Sequence, residues 1–248
     1  MGAGIGKFHT VAGRGRYCIR GRATSGGNPT RLYHFLKACH AIDNVEKNRV
    51  KISLWMDVND PWELKPFDLS DARNLRALEG FKTEMSKQFS FVSLCKHWRS
   101  PLMWAHYAER HQGVALGFEV TDAFCTPIKY VPNVYLLPTA NPQQMGTRRL
   151  NDGRRVIDVM LDTKFDGWGY EEEVRVFANQ DGSNTENGIE FYPFSADFAL
   201  REVILGEKCP LSIAQLRASV PSMDSSVRVI RARRAVHNFC LEEDPNAS

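Results

Sequence analysis

A helix followed by a strand occurs twice in the first half of the chain, and this succession most constrains the fold. Residues 70–88 carry apolar side chains at helical spacing, namely Leu75, Leu78, Phe81 and Met85. Ser70 is the expected N-cap because its hydroxyl can accept a hydrogen bond from a free backbone N–H. The apolar segment 89–95 follows as a strand, and a second helix leads into the strand 114–120. Interleaved helices and short strands predict an α+β fold.

The second helix has sequence signals at both of its ends. Ser100 and Pro101 are typical of a helix start, and Gly113 is expected to take the left-handed conformation that ends a helix. Residues 104–113 are therefore predicted to be the last turns of a capped helix. Because a strand follows at once, this segment is expected to lie against the sheet and to help build the functional site.

The other segments complete one mixed α+β domain, predicted to span 31–248 with a largely antiparallel sheet and packed helices. Further strands are predicted at 31–35, 50–55, 170–177, 189–194, 200–205 and 226–240, and further helices at 38–48, 148–163 and 211–219, with a strand and a loop over 127–147. Residues 1–30 are a basic, glycine-rich leader. Such a leader can attract nucleic acid, but a poorly ordered tail is the simpler interpretation.

Composition excludes several classes of protein. Of the 248 residues, 43% are apolar and 25% are charged, which is ordinary for a globular chain. The apolar runs are too short to cross a bilayer, and the N-terminus lacks a signal-peptide pattern, so a cytoplasmic protein without a membrane partner is expected. The six cysteines are scattered without a close pair, which predicts reduced thiols and neither a disulfide framework nor a zinc site.

The strand that follows Trp168 places charged side chains on one face. Side chains alternate along a strand, so Glu171, Glu173 and Arg175 share a face, with the two carboxylates about 7 Å apart. Two such carboxylates can hold a ribose hydroxyl, stabilise a cationic transition state or act as acid and base. A solvated strand face with charge pairing is the alternative interpretation.

Two histidines lie in the segment 104–113. His106 and His111 are five residues apart, so on a helix they point about 140° from each other and cannot share one metal ion. His106 and Arg110, four residues apart, would share a face. A lone helical histidine is commonly structural, and a role for His106 in the site is the competing hypothesis.

Two other segments hold polar side chains that could contribute to a site. Asn59 and Asp60 belong to a turn in which such side chains usually cap their own backbone. His34 lies in a strand with aromatic neighbours, where its ring could bind a ligand or a backbone carbonyl. The sequence contains no P-loop, dinucleotide glycine fingerprint or serine-hydrolase elbow.

Taken together, four segments resemble a bacterial family known as domain of unknown function 2971. They are Leu-Tyr-His-Phe at 32–35, Asn-Asp-Pro-Trp-Glu at 59–63, the W-x-H-Y-A-x-x-H-x-G element at 104–113, and Y-E-x-E-x-R at 170–175. Their order and spacing match along residues 31–241, and the leader lies outside the match.

That family is similar in layout to the ADP-ribosyltransferase fold, notably to DNA-modifying toxins. The resemblance implies a split sheet, NAD as the substrate, no metal, and a nucleic acid or protein as the acceptor. His34 would anchor the NAD ribose and Glu171 or Glu173 would be catalytic, with His106 assisting. Ser90 and Ser93 are the nearest candidates for the central polar motif, and Ser93 is expected to bind NAD. The remaining expected roles are NAD binding by Tyr107 and Arg175, and lining of the pocket by Asn59, Asp60, Trp104 and His111.

The leading hypothesis is thus an ADP-ribosyltransferase-like enzyme, acting as a bacterial toxin or phage-defence effector. A second hypothesis is a nucleotide or phosphodiester hydrolase that uses His106, His111 and the acidic strand. A third is a non-catalytic module that senses a nucleotide. A cleft that contains His34, His106 and Glu171 or Glu173 would favour the first hypothesis.

Overall fold

The computed structural model describes residues 29–247 except for 57, 59, 88, 138–144 and 180–184. Residues 1–28 of the leader and Asn59 therefore lie outside the described residues, whereas Thr30, predicted as part of the leader, begins β1. The strands are β1 Thr30–Leu36, β2 Arg49–Lys51, β3 Phe89–Cys95, β4 Val114–Val120, β5 Cys125–Pro127, β6 Lys129–Val131, β7 Thr163–Phe165, β8 Glu173–Asn179, β9 Thr185–Glu186, β10 Ile189–Pro193, β11 Phe198–Leu205, β12 Arg228–Arg234 and β13 Leu241–Glu243. The α-helices are α1 Ala38–Glu46, α2 Ala72–Ser86, α3 Pro101–Tyr107, α4 Val156–Asp162 and α5 Ile213–Ser219, and 3₁₀ helices cover Asp122–Phe124 and Asp166–Glu171.

Eight strands form one large sheet in the order β13-β12-β11-β4-β1-β3-β8-β5. Its pairs are antiparallel except for β11 with β12, which is parallel. Two small sheets, β2-β10-β9 and β6-β7, flank it. The prediction of an α+β fold with a mixed, largely antiparallel sheet is confirmed.

Apolar side chains cover both faces of the large sheet. On β4, Leu116 and Phe118 belong to the core beneath α1 and α5, whereas Ala115 belongs to the core beneath α3. This alternation follows from the two-residue period of a strand. A third core holds α2 and α4 together around Trp55 and Phe67. No helix of the described part of the chain is both long and apolar enough to cross a bilayer.

The sheet opens between β1 and β3. β1 pairs with β4 along all of Thr30–Leu36, but its ladder with β3 has a single register pair, Tyr33 with Cys95. β3 in turn pairs with β8 along its whole length, from Phe89 to Cys95. The two halves of the sheet therefore meet at one point and diverge beyond it. This opening creates the space described below.

Several predicted element boundaries were wrong. The strand predicted at 170–177 begins at Glu173, because residues 166–171 form a 3₁₀ helix, so Glu171 does not share a strand face with Glu173 and Arg175. The N-cap of α2 is Asp71, whose carboxylate accepts from Arg73 N at 2.8 Å, and not Ser70, because the chain turns helical one residue later. α4 begins at Val156 and not near 148. The predicted strand 50–55 is the short β2 followed by one bridge between Ser53 and Phe91. Residues 51–55 thereby cross from the small sheet to β3.

The helix predicted to continue to Gly113 ends at Tyr107. Glu109, Arg110 and His111 all have positive φ, between 50° and 72°, so the left-handed residues precede the glycine. Gly113 is required for a different reason: a Cβ there would lie 2.3 Å from the Leu36 carbonyl oxygen. Because residues 109–111 are not helical, the helical angle between His106 and His111 does not apply.

Candidate functional site

A cavity of about 470 Å³ occupies the opening between β1 and β3. Its polar wall comes from five parts of the fold: β1, the strands β3 and β8, helix α3, the segment around β7, and the turn at 60–64. Its other wall is mostly apolar. The lining residues are Tyr33, His34, Phe35, Lys51, Ile52, Ser53, Leu54, Val58, Glu63, Phe91, Ser93, Leu94, Cys95, Met103, His106, Tyr107, Lys164, Glu171, Glu173 and Arg175. The volume lies within the range of small-molecule sites.

Glu173 is the centre of the polar wall and is buried. Its carboxylate accepts from Arg175 Nε at 2.8 Å and from Ser93 Oγ at 2.7 Å, and Lys164 Nζ lies 3.3 Å away. Burial alone would raise the pKa of Glu173, but the Arg175 and Lys164 cations outweigh it and lower the pKa to about 2. Glu173 is therefore an ionised carboxylate at neutral pH.

Glu63 forms ion pairs with both cations, Arg175 and Lys164. Its carboxylate lies 2.6 Å from Arg175 Nη2 and 3.4 Å from Lys164 Nζ. The turn at 60–64 aims it inward: Asp60 accepts from Trp62 N at 2.9 Å through its side chain and from Glu63 N at 3.0 Å through its carbonyl. Asp60 therefore caps the turn and does not line the cavity.

Glu171 lies in the 3₁₀ helix just before β8 and is also buried. Lys164 donates to its Oε2, and the Tyr107 hydroxyl donates to its Oε1. Lys164 thus contacts Glu63, Glu171 and Glu173. Burial would lower the pKa of Lys164, but these three carboxylates raise it above its usual value, so the amine stays protonated. Three carboxylates facing two cations leave this wall with a formal charge of −1.

The two predicted histidines approach the cavity from different sides. His34 Nδ1 lies 2.9 Å from the Ser93 carbonyl oxygen, and burial lowers the pKa of the ring, so it is neutral at neutral pH. By register His34 faces away from Tyr33, and it reaches the cavity where β1 and β3 separate. His106 is exposed on α3, with Nδ1 2.9 Å from the Tyr170 hydroxyl.

Seven of the predicted site residues line the one cavity: His34, Ser93, His106, Tyr107, Glu171, Glu173 and Arg175. Trp104 does not, because its ring is fully buried and its Nε1 donates to the Trp98 carbonyl at 2.6 Å. His111 stacks on Trp104 with ring centroids 6.5 Å apart and is likewise absent from the lining. The hydrolase hypothesis combined His106 with His111, and only His106 lies at the cavity.

Sequence reasoning missed Lys164 and Glu63 as site residues. Lys164 lies on a strand of three residues after the apolar helix α4. No pattern in the sequence links it to the acidic residues of the site. Glu63 was visible only as part of a polar turn. The signal at Lys164 was a charged side chain next to apolar neighbours, which on its own also fits a snorkelling surface residue.

The carboxylates of the polar wall form a fixed, hydrogen-bonded anion. The three carboxylates already accept from Lys164, Arg175, Tyr107 and Ser93. Within the described ranges no group of three or more His, Cys, Asp and Glu side chains is arranged to hold a metal ion. A fixed anion beside a cavity can instead stabilise a positive charge that develops on a ligand.

No family model, no curated protein sequence and no solved structure matches the chain. The case for a function therefore rests on the cavity and its residues.

Proposed function

We propose that the chain is an ADP-ribosyltransferase-like enzyme that binds NAD in the cavity and transfers ADP-ribose to a nucleic acid or protein acceptor. The observation that carries this proposal is the position of Glu173, an ionised and buried carboxylate bonded to Ser93, in a cavity that also contains His34. Their strands β8, β3 and β1 are adjacent in the sheet. A bacterial toxin or phage-defence effector is the biological role that fits such an enzyme.

The charge of the polar wall fits the nicotinamide end of NAD. The nicotinamide ring of NAD is a planar cation, and the polar wall has a formal charge of −1 with the ionised Glu173 at its centre. Ile52, Phe91 and Met103 contribute apolar surface to the same cavity. An apolar surface facing a fixed anion is suited to a flat cationic ring.

His34 is suited to hold a ribose hydroxyl. A carbonyl oxygen only accepts hydrogen bonds, so the contact with Ser93 requires the proton of the neutral ring to be on Nδ1. Nε2 then carries a lone pair and can accept a hydrogen bond from a sugar hydroxyl. The fixed tautomer makes His34 an oriented acceptor.

In the reaction, the bond between nicotinamide and ribose breaks and positive charge develops on the ribose. The nicotinamide nitrogen keeps the electron pair and leaves as a neutral ring. Glu173, held in place by Ser93 and Arg175, stabilises the developing charge without having to reorient. Glu171, the second carboxylate of the cavity, takes the proton of the acceptor nucleophile as it attacks the ribose.

The test is nicotinamide release from NAD by the purified chain, measured by chromatography with candidate RNA, DNA and protein acceptors. Glu173→Gln and Ser93→Ala are expected to reduce the rate by at least about 100-fold, the usual scale for losing one preorganised electrostatic group. Glu172→Gln is the matched control, because this neighbouring side chain pairs with His97 and does not line the cavity.

Absence of both NAD binding and nicotinamide release by the wild-type chain would overturn the proposal. NAD binding without turnover, unchanged by Glu173→Gln, would instead indicate the non-catalytic sensing module.

A further inference from the structure

A continuous series of hydrogen bonds leads from Glu171 to the protein surface. The Tyr107 hydroxyl donates to Glu171 Oε1, Tyr107 and Tyr170 are hydrogen-bonded through their hydroxyls, and Tyr170 Oη lies 2.9 Å from His106 Nδ1. The first residue is buried and the last is exposed. Phenol and imidazole groups both donate and accept protons, so every member can pass a proton on.

The other groups that face Glu171 cannot serve as the exit for a proton. Lys164 holds Oε2, and its raised pKa means that it stays protonated and has no free lone pair. Tyr130 and Cys95 also interact electrostatically with Glu171. Burial is the main cause that raises the pKa of each side chain to about 12. Glu173 is already bonded to Arg175, Lys164 and Ser93. Tyr107 is therefore the protein contact through which Glu171 can lose a proton while a ligand fills the cavity.

We propose that Tyr107, Tyr170 and His106 form a proton path that returns Glu171 to its ionised form by carrying the proton of the acceptor to solvent. This inference rests on the proposed transferase function, in which Glu171 receives that proton. His106 and Tyr170 act through Glu171 and are positioning residues, whereas Glu171 contacts the nucleophile.

The proton balance of one turnover is complete without another reactant. The acceptor forms its bond to the ribose and gives its proton to Glu171. Glu171 passes a proton to Tyr107, Tyr107 passes its own to Tyr170, and Tyr170 passes its own to His106 Nδ1. The imidazolium then releases the proton on Nε2 to water.

The observed hydrogen bonds match the state that this transfer leaves behind. Each phenol carries one proton, and that of Tyr107 points to Glu171. The Tyr170 proton then points to Tyr107, and His106 donates to Tyr170 through Nδ1–H. The resting His106 is thus expected as the Nδ1–H tautomer with Nε2 facing water. For each transfer the exposed ring first takes a proton from water at Nε2 and releases the one on Nδ1 to water, which frees Nδ1 to accept from Tyr170.

The kinetic test uses His106→Ala, Tyr170→Phe and the double variant, with nicotinamide release as the readout. Each single variant is expected to lose about 100-fold in rate, and the double variant no more than either single one, because a broken path cannot be broken twice. Added imidazole should restore His106→Ala but not Tyr170→Phe. Tyr135→Phe is the matched control, since this phenol lies beside Arg154 and not in the cavity lining.

Wild-type rates in Tyr170→Phe, or losses that multiply in the double variant, would overturn the proton path. A second measurement does not depend on turnover: ¹⁵N NMR of His106 should show the Nδ1–H tautomer in the wild type and a mixture in Tyr170→Phe and Tyr107→Phe. If the wild-type chain released no nicotinamide, the transferase proposal would fail, whatever the NMR spectra showed. An unchanged His106 spectrum in Tyr170→Phe and Tyr107→Phe would separately reject the proton path.

Discussion

Arg175 shows how the site depends on single residues. Its guanidinium is fully buried, donates to Glu63, Glu173 and the Leu161 carbonyl, and lies 4.6 Å from the Phe91 ring centre. Burying these ions costs desolvation energy, which only the close pairing among them offsets. Such a cluster is a costly way to stabilise a core. The position of Arg175 at the cavity is better explained by its hydrogen bonds to Glu173, which hold this anion in place.

Replacing Arg175 tests this interdependence. Arg175→Met is expected to lower the free energy of unfolding by about 3–5 kcal/mol, because Glu63 and Glu173 would remain buried with one cation fewer. Arg175→Lys should recover part of the loss, since an ammonium restores the charge but not the forked donors. Denaturant unfolding measures both.

The control for this measurement is Arg201→Met, at a half-exposed residue paired with Glu119 on the surface. It should leave the unfolding midpoint within experimental error. An equally small loss in Arg175→Met would show that the buried pairing is not needed for stability.

At the scale of elements, the turn at 108–113 holds the end of α3 against the sheet. The His111 carbonyl accepts from Lys208 N at 3.0 Å, and the Gly113 carbonyl accepts from Gly206 N at 2.9 Å. A Cβ on Gly206 would lie 2.2 Å from the His111 carbonyl oxygen. Three successive left-handed residues are unfavourable for side chains with a Cβ, so these tertiary contacts impose the turn. The turn thereby fixes the helix that carries His106 and Tyr107.

Gly113→Ala is the sharpest test of this turn. The added methyl group would meet backbone atoms of Leu36 and Ala108 at 2.3–2.9 Å, which cannot move without shifting β1 or α3. The free energy of unfolding is expected to fall by about 2–4 kcal/mol. Gly169→Ala is the matched control, because a Cβ there meets no atom of the described residues within 4 Å. Thermal unfolding distinguishes the two, and equal stability of both variants would contradict the close-approach explanation.

At the scale of the whole molecule, the cavity depends on how the two halves of the large sheet meet. One half presents β1 and the other presents β3 and β8, and Tyr33 with Cys95 is the one register pair that joins β1 to β3. A ligand in the opening would contact both halves at once. It would therefore add contacts between β1 and β3, the neighbouring strands that share the fewest register pairs in the described sheet.

Ligand binding should accordingly stabilise the fold. At a concentration of 100 Kd, an NAD analogue with an uncleavable carbocyclic ribose is expected to raise Tm by about 5–10 °C. Differential scanning fluorimetry measures the shift, and AMP at the same concentration is the control that lacks the nicotinamide. No difference between the two ligands would argue against the nicotinamide end occupying the cavity.

The sequence by itself determined the secondary structure where local signals were unambiguous. The strands 89–95 and 114–120 match the structure at both ends, because long apolar segments bounded by turn residues leave little choice of state. The start of α2 was displaced by one residue, since Ser70 and Asp71 are both good caps and only the backbone path selects between them. The end of α3 was missed because contacts from Leu36 and Gly206, distant in sequence, bend the chain there.

For the site, strand alternation was enough to propose that Glu173 and Arg175 act together, since strand geometry is local. Glu171 was wrongly included in that strand, because it lies in the 3₁₀ helix before β8. Their burial and their pairing with Lys164 and Glu63 were decided only by the tertiary structure. The reason is physical: the charge state and partners of a carboxylate depend on the groups within a few ångströms in space, and here these come from β7 and from a turn more than 100 residues away. The sequence could name the carboxylates, and the fold supplied the cations that keep them ionised.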